Sequence, residues 1–253
     1  MTPNSLNIPT RLNHQSILLL EDGFCFCTPN QKSFHQYSDF GSTSSESVVN
    51  FVSQQKELST LQLVLLQTAT VLVPALIFKE TLLPTYWDAF DHRSKDHELQ
   101  VQGSTNGLVK FIYQSPTPLY EKLTTTSIGL SVVPAYAFLY DRIMEQSQND
   151  FSKQIYVHLF RGYFDLFVTQ GTRVLLSNRF PHQNEEDFMY YLFYVTEQLE
   201  LAENRCTVFF LGKYNSFDTY YRGIEKFQKE IHFLDTHSTS PLGNQDPAPY
   251  WHA

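Results

Sequence analysis

Positive charge is in short supply in this chain: 18 Lys and Arg face 26 Asp and Glu, for a formal net charge of −8 at pH 7. A nucleic-acid binder needs a basic face to replace phosphate counterions. No Lys/Arg cluster here is long enough to override the acidic balance, so nucleic acid is excluded as the main partner. A continuous hydrophobic run is missing as well. The longest apolar stretch, Leu61 to Phe78, is interrupted by Gln62, Gln67, Thr68, Thr70 and Pro74, which is too polar and too broken to span a bilayer. The opening residues MTPNSLNIPTRLNHQ are polar and fit neither a signal peptide nor a transit helix. The expectation is a soluble, cytoplasmic protein with no membrane insertion.

Cysteine is scarce: Cys25, Cys27 and Cys206. Cys25 and Cys27 lie two apart in a predicted strand and so share a face, where disulfide geometry is hard to reach. An odd count without a signal peptide points to free thiols in a reducing compartment. The C-x-C pair has no second pair to complete a metal site, so the three read as buried structural residues and no metal is expected. His92 and His97 bracket a charged loop with no carboxylate pattern that converges on a metal. G-x-x-x-x-G-K-[ST], G-x-G-x-x-G, H-E-x-x-H and G-x-S-x-G are all absent. A nuclease would need carboxylates converging on two metals, whereas Asp22, Asp165 and Asp187 are scattered over both halves.

What is abundant is apolar and aromatic: 42% hydrophobic residues, with 21 Phe and 15 Tyr, ample for a packed core. At 253 residues the chain has room for two domains. The best-formed stretch runs from Ile155 to Gly212. Strands over 155–160, 163–169 and 173–180 are joined by turns at Arg161-Gly162 and Gln170-Gly171-Thr172. A helix follows, capped by Asn184, with Glu185, Glu186 and Asp187 in its first turn and Phe188, Tyr191, Leu192, Val195 and Leu199 as its buried stripe. Cys206 to Leu211 is an apolar strand ending in Gly212-Lys213. A helix over 220–230 and a short strand over 232–234 complete the half.

The first half shows the same order. Strands at 16–20, 24–28 and 33–40 precede a helix over 45–58, whose cap is expected among Ser44 and Ser45, and then a strand at 61–66. The pattern next predicts a helical stretch across 75–90, interrupted by Pro84. Strands at 99–103 and 108–113, a short helix at 119–123 and a strong helix at 135–148 follow. Gly23-Phe24 takes the place of Gly162-Tyr163 and the 61–66 strand that of 206–211. The offset is roughly 140 residues, the mark of a duplicated βββαβαβ unit. The expected division is a leader (1–15), two halves (16–150 and 151–235) and an extended Ser/Thr/Pro/Gly-rich tail (236–253).

A tandem βββαβαβ unit resembles the actin-like ATPases, an α/β fold whose two halves are ribonuclease H-like. The runs D-G-F-C-F-C (22–27), L-V-P-A-L-I-F (72–78) and N-R-F-P-H-Q-N-E-E-D-F-M-Y-Y-L-F-Y-V-T-E-Q-L (178–199) resemble, more narrowly, an uncharacterised Bacteroidetes domain family. That family has an actin-like fold and no assigned function, and the match spans residues 16 to about 235. The resemblance places any ligand in a cleft between the halves. There the first hairpin of each half would hold phosphate, an Asp acting through Mg²⁺ and Gly and Ser/Thr amides lining the turn. This chain gives Glu21, Asp22 and Gly23 in the first half, followed by bulky Phe24. In the second it gives Arg161 and Gly162 with no acid, and the adenosine-side Gly-Gly is reduced to Gly212 and Lys213. The expectation is therefore a degenerate, non-catalytic scaffold or interaction module with no cofactor and an unnamed protein partner, self-association being left open. ATP with Mg²⁺ on an unusual phosphate loop is the alternative.

Overall fold

The computed structural model describes residues 15–20, 22–28, 32–55, 58–66, 68–90, 97–125, 129–201 and 206–234. Its contacts divide the chain into two compact units, with the division between Asp141 and Arg142.

The second unit builds one five-stranded sheet from β9 (Lys153–Phe160), β10 (Tyr163–Gln170), β11 (Arg173–Pro181), β12 (Thr207–Leu211) and β13 (Ile231–Leu234), in the order β11-β10-β9-β12-β13. The first three strands are antiparallel, and β12 and β13 run parallel to β9. Strand alternation sends Ile155, Val157 and Leu159 of β9 to one face together with Phe164, Leu166 and Val168 of β10. That face is covered by α5 (Glu185–Gln198) and α6 (Asp218–Glu225). The helical period places Phe188, Leu192 and Val195 on the sheet side of α5, and Tyr220, Tyr221 and Ile224 of α6 complete the core. Each such fully buried side chain contributes about 1.5–3 kcal/mol. As expected, the Asn184 side chain accepts the Asp187 amide at 2.9 Å and starts α5.

The first unit repeats this plan with β1 (Ser16–Leu19), β2 (Gly23–Cys27), β3 (Lys32–Gln36), β4 (Thr60–Leu65) and β8 (Gly129–Pro134), ordered β3-β2-β1-β4-β8. The registers correspond. Ile17 lies between Phe26 and Leu63, as Ile155 lies between Val168 and Val208. The duplicated βββαβαβ unit is thus present in the strand order itself. α1 (Ser44–Gln54) lays Val48, Phe51 and Val52 on this sheet, and α3 (Thr117–Thr124) adds Leu119 and Leu123. The cap of α1 is Thr43, whose hydroxyl accepts the Glu46 amide, rather than the serines after it. α4 (Ala135–Ser147) follows β8.

Between β4 and α3 the first unit carries an insertion with no counterpart in the second. β5 (Thr70–Pro74), β6 (His97–Gly103) and β7 (Val109–Pro116) form a sheet ordered β5-β7-β6, backed by α2 (Leu83–Asp88). Val73, Ile112 and the fully buried Trp87 are its core. The helical expectation for 75–90 holds only over 80–88, where a 3-10 turn (Glu80–Leu82) runs into α2; residues 75–79 are turn and loop. Residues 70–74 are an edge strand, where Pro74 sacrifices no ladder hydrogen bond, and Pro84 lies in the first turn of α2, where its missing N–H costs nothing. Cys25, Cys27 and Cys206 are thiols buried in the core, as the sequence implied.

Candidate functional site

Of the first-half residues, Glu21 lies outside the described residues, and Asp22 is exposed in the β1–β2 turn. The turn is drawn tight by the Leu20 amide donating to the Gly23 carbonyl at 2.9 Å. The Leu20 carbonyl accepts the Tyr37 hydroxyl, also at 2.9 Å. Burial, with the negative charge of Asp22 and then Cys25 adding to it, pushes that hydroxyl up to about 12. Gly23 has no room for a side chain. A Cβ there would come within 2.2 Å of the His35 carbonyl oxygen and 2.6 Å of the Phe34 ring. Phe24 points into the core and packs edge-on against Phe51, ring centroids 5.1 Å apart.

In the second unit, Arg161 and Gly162 form the two-residue turn between β9 and β10. Gly162 takes φ +80°, and the space where its side chain would project is open. Its carbonyl accepts the His182 amide at 3.1 Å. The His182 ring then staples both ends of the turn. Nε2 lies 2.8 Å from the Phe160 carbonyl and 3.2 Å from that of Tyr163, and Nδ1 lies 3.1 Å from the Tyr220 hydroxyl. Carbonyls only accept, so Nε2 carries the proton and Tyr220 donates to Nδ1.

Gly212 and Lys213 follow β12, the parallel neighbour of β9, so these two residues and Arg161-Gly162 share the carboxyl end of one sheet, where α/β folds place ligands. Gly212 takes φ +82° and donates its amide to the Leu234 carbonyl at 2.8 Å. The room its missing side chain leaves is filled by the outer end of the Tyr214 side chain, whose hydroxyl oxygen and adjoining ring carbons lie 2.7–2.9 Å from a would-be Cβ. Lys213 lays its ammonium 4.8 Å from the centre of the Phe233 ring. Asp22 and Gly23 occupy the matching end of the first unit's sheet, in a separate unit.

A charged row that no sequence motif announces crosses the second sheet. Asp165 in mid-β10 is fully buried, opposite His158 of β9 and Arg179 of β11. Arg179 grips it with two hydrogen bonds, Nε to Oδ1 at 2.7 Å and Nη2 to Oδ2 at 3.1 Å, while His158 Nδ1 stands 3.6 Å from Oδ2. Burial alone would raise this carboxyl. The charge of Arg179, the close approach of His158 and the two hydrogen bonds from Arg179 outweigh it and hold the group below the usual carboxylate range. The guanidinium also covers the Tyr163 ring at 4.0 Å. In the first unit the cross-strand row through β2 at Cys25 is apolar, with Leu18 of β1 on one side and Phe34 of β3 on the other. Asp187 is a helix-start residue that accepts the Gln183 amide at 2.9 Å. Among the described residues no group of three or more His, Cys, Asp or Glu gathers as a metal site, and no helix is long and apolar enough to cross a membrane.

A family model described as "Protein of unknown function (DUF3822)" matches residues 8–231. The chain belongs to the DUF3822 family. No curated protein matches its sequence. Among solved structures, this DUF3822 chain is similar to a Bacteroides thetaiotaomicron protein with an actin-like ATPase fold and unknown function. The TM-score is 0.76 at 18% identity, over 89% of this chain and 91% of that one. It is also similar to a chain of the PilM-PilN type IV pilus biogenesis complex, with a TM-score of 0.56 at 8% identity over 95% and 96% of the two chains. At these identities the likeness establishes the fold. The DUF3822 chain has the actin-like ATPase fold, with two ribonuclease H-like halves.

Proposed function

We propose that this protein is a non-catalytic actin-like scaffold or protein-interaction module. The observation that carries the reading is the use its turns make of their glycines. Gly23 and Gly212, the positions where backbone would have to approach phosphate or adenosine closely, give their free space to Phe34, His35 and Tyr214 of the protein itself. Leu20, Phe160, Gly162 and Tyr163 likewise commit turn backbone to internal hydrogen bonds. Where a second acid would act on Mg²⁺, the chain has Arg161. The presence of a chain of this fold in a PilM-PilN complex supports an assembly role for such a scaffold.

A second reading, a nucleotide-binding ATPase or switch, draws on Gly162, whose outward side is open beside Arg161. Thermal unfolding with millimolar Mg·ATP and Mg·ADP separates the two. A ligand at a hundredfold excess over its Kd stabilises the native state by about 2.7 kcal/mol, several degrees in a chain of this size. The expected result is no shift. A shift of that size, abolished in Asp22→Asn or Arg161→Ala, would replace the scaffold reading with the nucleotide one.

A further inference from the structure

Away from these turns, the second unit carries a cavity of about 650 Å³ under the C-terminal end of α5, between it, α6 and the start of β12. Its walls include Ile155, Leu192, Val208 and Ile224, with Cys206 among them. The size falls within the roughly 300–1,000 Å³ of pockets that take ligands or anchoring side chains. Two further lining residues, Phe193 and Phe227, meet edge to face at 5.1 Å and are 40% and 58% exposed. From them the aromatic surface continues along α5 through Tyr194 and Tyr190, 49% and 64% exposed and stacked on each other at 6.4 Å.

Exposed, mutually braced aromatics around an apolar hole are the composition of a protein-binding hot spot: rigid contact area beside a place for an anchor. The aromatic row runs outward along the helix, beyond what a molecule enclosed by the cavity would touch. It matches the reach of an amphipathic segment with apolar residues at successive turns. Charge narrows the occupant. α5 holds Glu185, Glu186, Asp187 and Glu197 and contains no Lys, Arg or His. Glu197 stands at the cavity wall, and Lys226 on the α6 side is the one cation among the described lining residues.

We propose that this face docks a basic amphipathic segment of a partner protein, one apolar anchor entering the cavity and its Lys and Arg residues lying along the acids of α5. The proposal rests on the interaction-module reading and adds the surface and the chemistry of the partner.

The test is fluorescence anisotropy on the full chain with a dye-labelled helical peptide of about fourteen residues, roughly 20 Å long, with leucines on one face and lysines on the other. One control peptide replaces lysine by glutamate, and another has the same composition in scrambled order. The lysine peptide should bind at least about tenfold more tightly than either control and lose affinity as salt rises. Phe227→Ala and Tyr194→Ala, both at exposed side chains, should each weaken it about tenfold. Leu76→Ser, at a 97% exposed apolar residue between β5 and α2, should leave it unchanged. Equal affinity for the three peptides, indifference to Phe227→Ala and Tyr194→Ala, or no binding would overturn the proposal. So would a cavity that binds laurate while the lysine peptide is ignored. Failure here with no nucleotide shift removes this docking face and leaves the scaffold reading standing. A nucleotide shift removes the scaffold reading whatever the peptide does.

Discussion

Two glycines with almost the same backbone angle should respond differently to an added methyl group. Gly162 and Gly212 both sit at φ near +80°, where an L side chain costs about 1–2 kcal/mol. At Gly162 that is the whole cost, because the space beyond is open. At Gly212 the methyl also meets the Tyr214 ring, which is buried and packed edge-on against Phe217 at 6.2 Å. Gly212→Ala should therefore be the more damaging by about 1–3 kcal/mol of overpacking, read from urea unfolding midpoints. Equal losses would mean that Tyr214 does not fill that space. This residue-level role was not legible in the sequence, where Gly212-Lys213 looked only like the remnant of a longer glycine pair. His182 was hidden for a related reason: two of its partners are the backbone carbonyls of Phe160 and Tyr163, and a carbonyl leaves no signature in a list of side chains.

Between elements, the row His158–Asp165–Arg179 ties three strands together. Removing the acid strands a guanidinium that is only one-fifth exposed, so Asp165→Ala should cost about 3 kcal/mol. Replacing Asp165 and Arg179 together by Leu should recover most of that loss, because the pair's own desolvation penalty disappears with it. A double replacement as unstable as the single one would refute this account. Half of the row could have been read from sequence. The two-residue turn at Arg161-Gly162 sets Tyr163 against Phe160 and hence Asp165 against His158. The other half could not. The turn before Arg173 would by simple counting set Asp165 opposite Asn178, and an irregularity at Val168/Thr169 shifts the register to Arg179. Periodicity likewise found α5, whose buried stripe is strong. It extends the helix over 75–90 too far toward the N-terminus, because Ala75 to Lys79 carries apolar residues at helical spacing yet forms the turn that leaves β5, and only 80–88 is helical.

For the molecule as a whole, the order of elements along the chain is the most legible property. Gly-bearing turns, one long helix and a return strand, met twice, were enough to reveal the duplicated unit. The insertion was seen only as separate strands, since nothing in their spacing says that they leave the main sheet. Acid stability is also a property of this scale. The Asp165 carboxyl is lower in the folded chain than the ordinary value near 3.9. Its contribution is therefore complete above pH ~4 and drains as the pH falls through the lower folded value. Glu46, held low first by the Ser42 hydroxyl, and Asp150, held low first by that of Ser152, act in the same direction. Stability measured between pH 6 and about 2 should fall more gently in Asp165→Asn than in the parent chain. Parallel curves would show that Asp165 does not contribute to acid unfolding.

The insertion that breaks the internal symmetry also sets an order of assembly. To add its fifth strand, the second unit brings Val208 to Ile231, whereas the first must bring Leu61 to Leu130 with the whole β5–β7–β6 sheet between them. The loop to be closed is about three times longer, which by chain entropy costs about 1 kcal/mol more, and pairing between distant segments slows folding. The inserted sheet, if it forms first, shortens the effective span and becomes the gatekeeper for β8. The second copy then completes its sheet independently, and the first waits on its own guest.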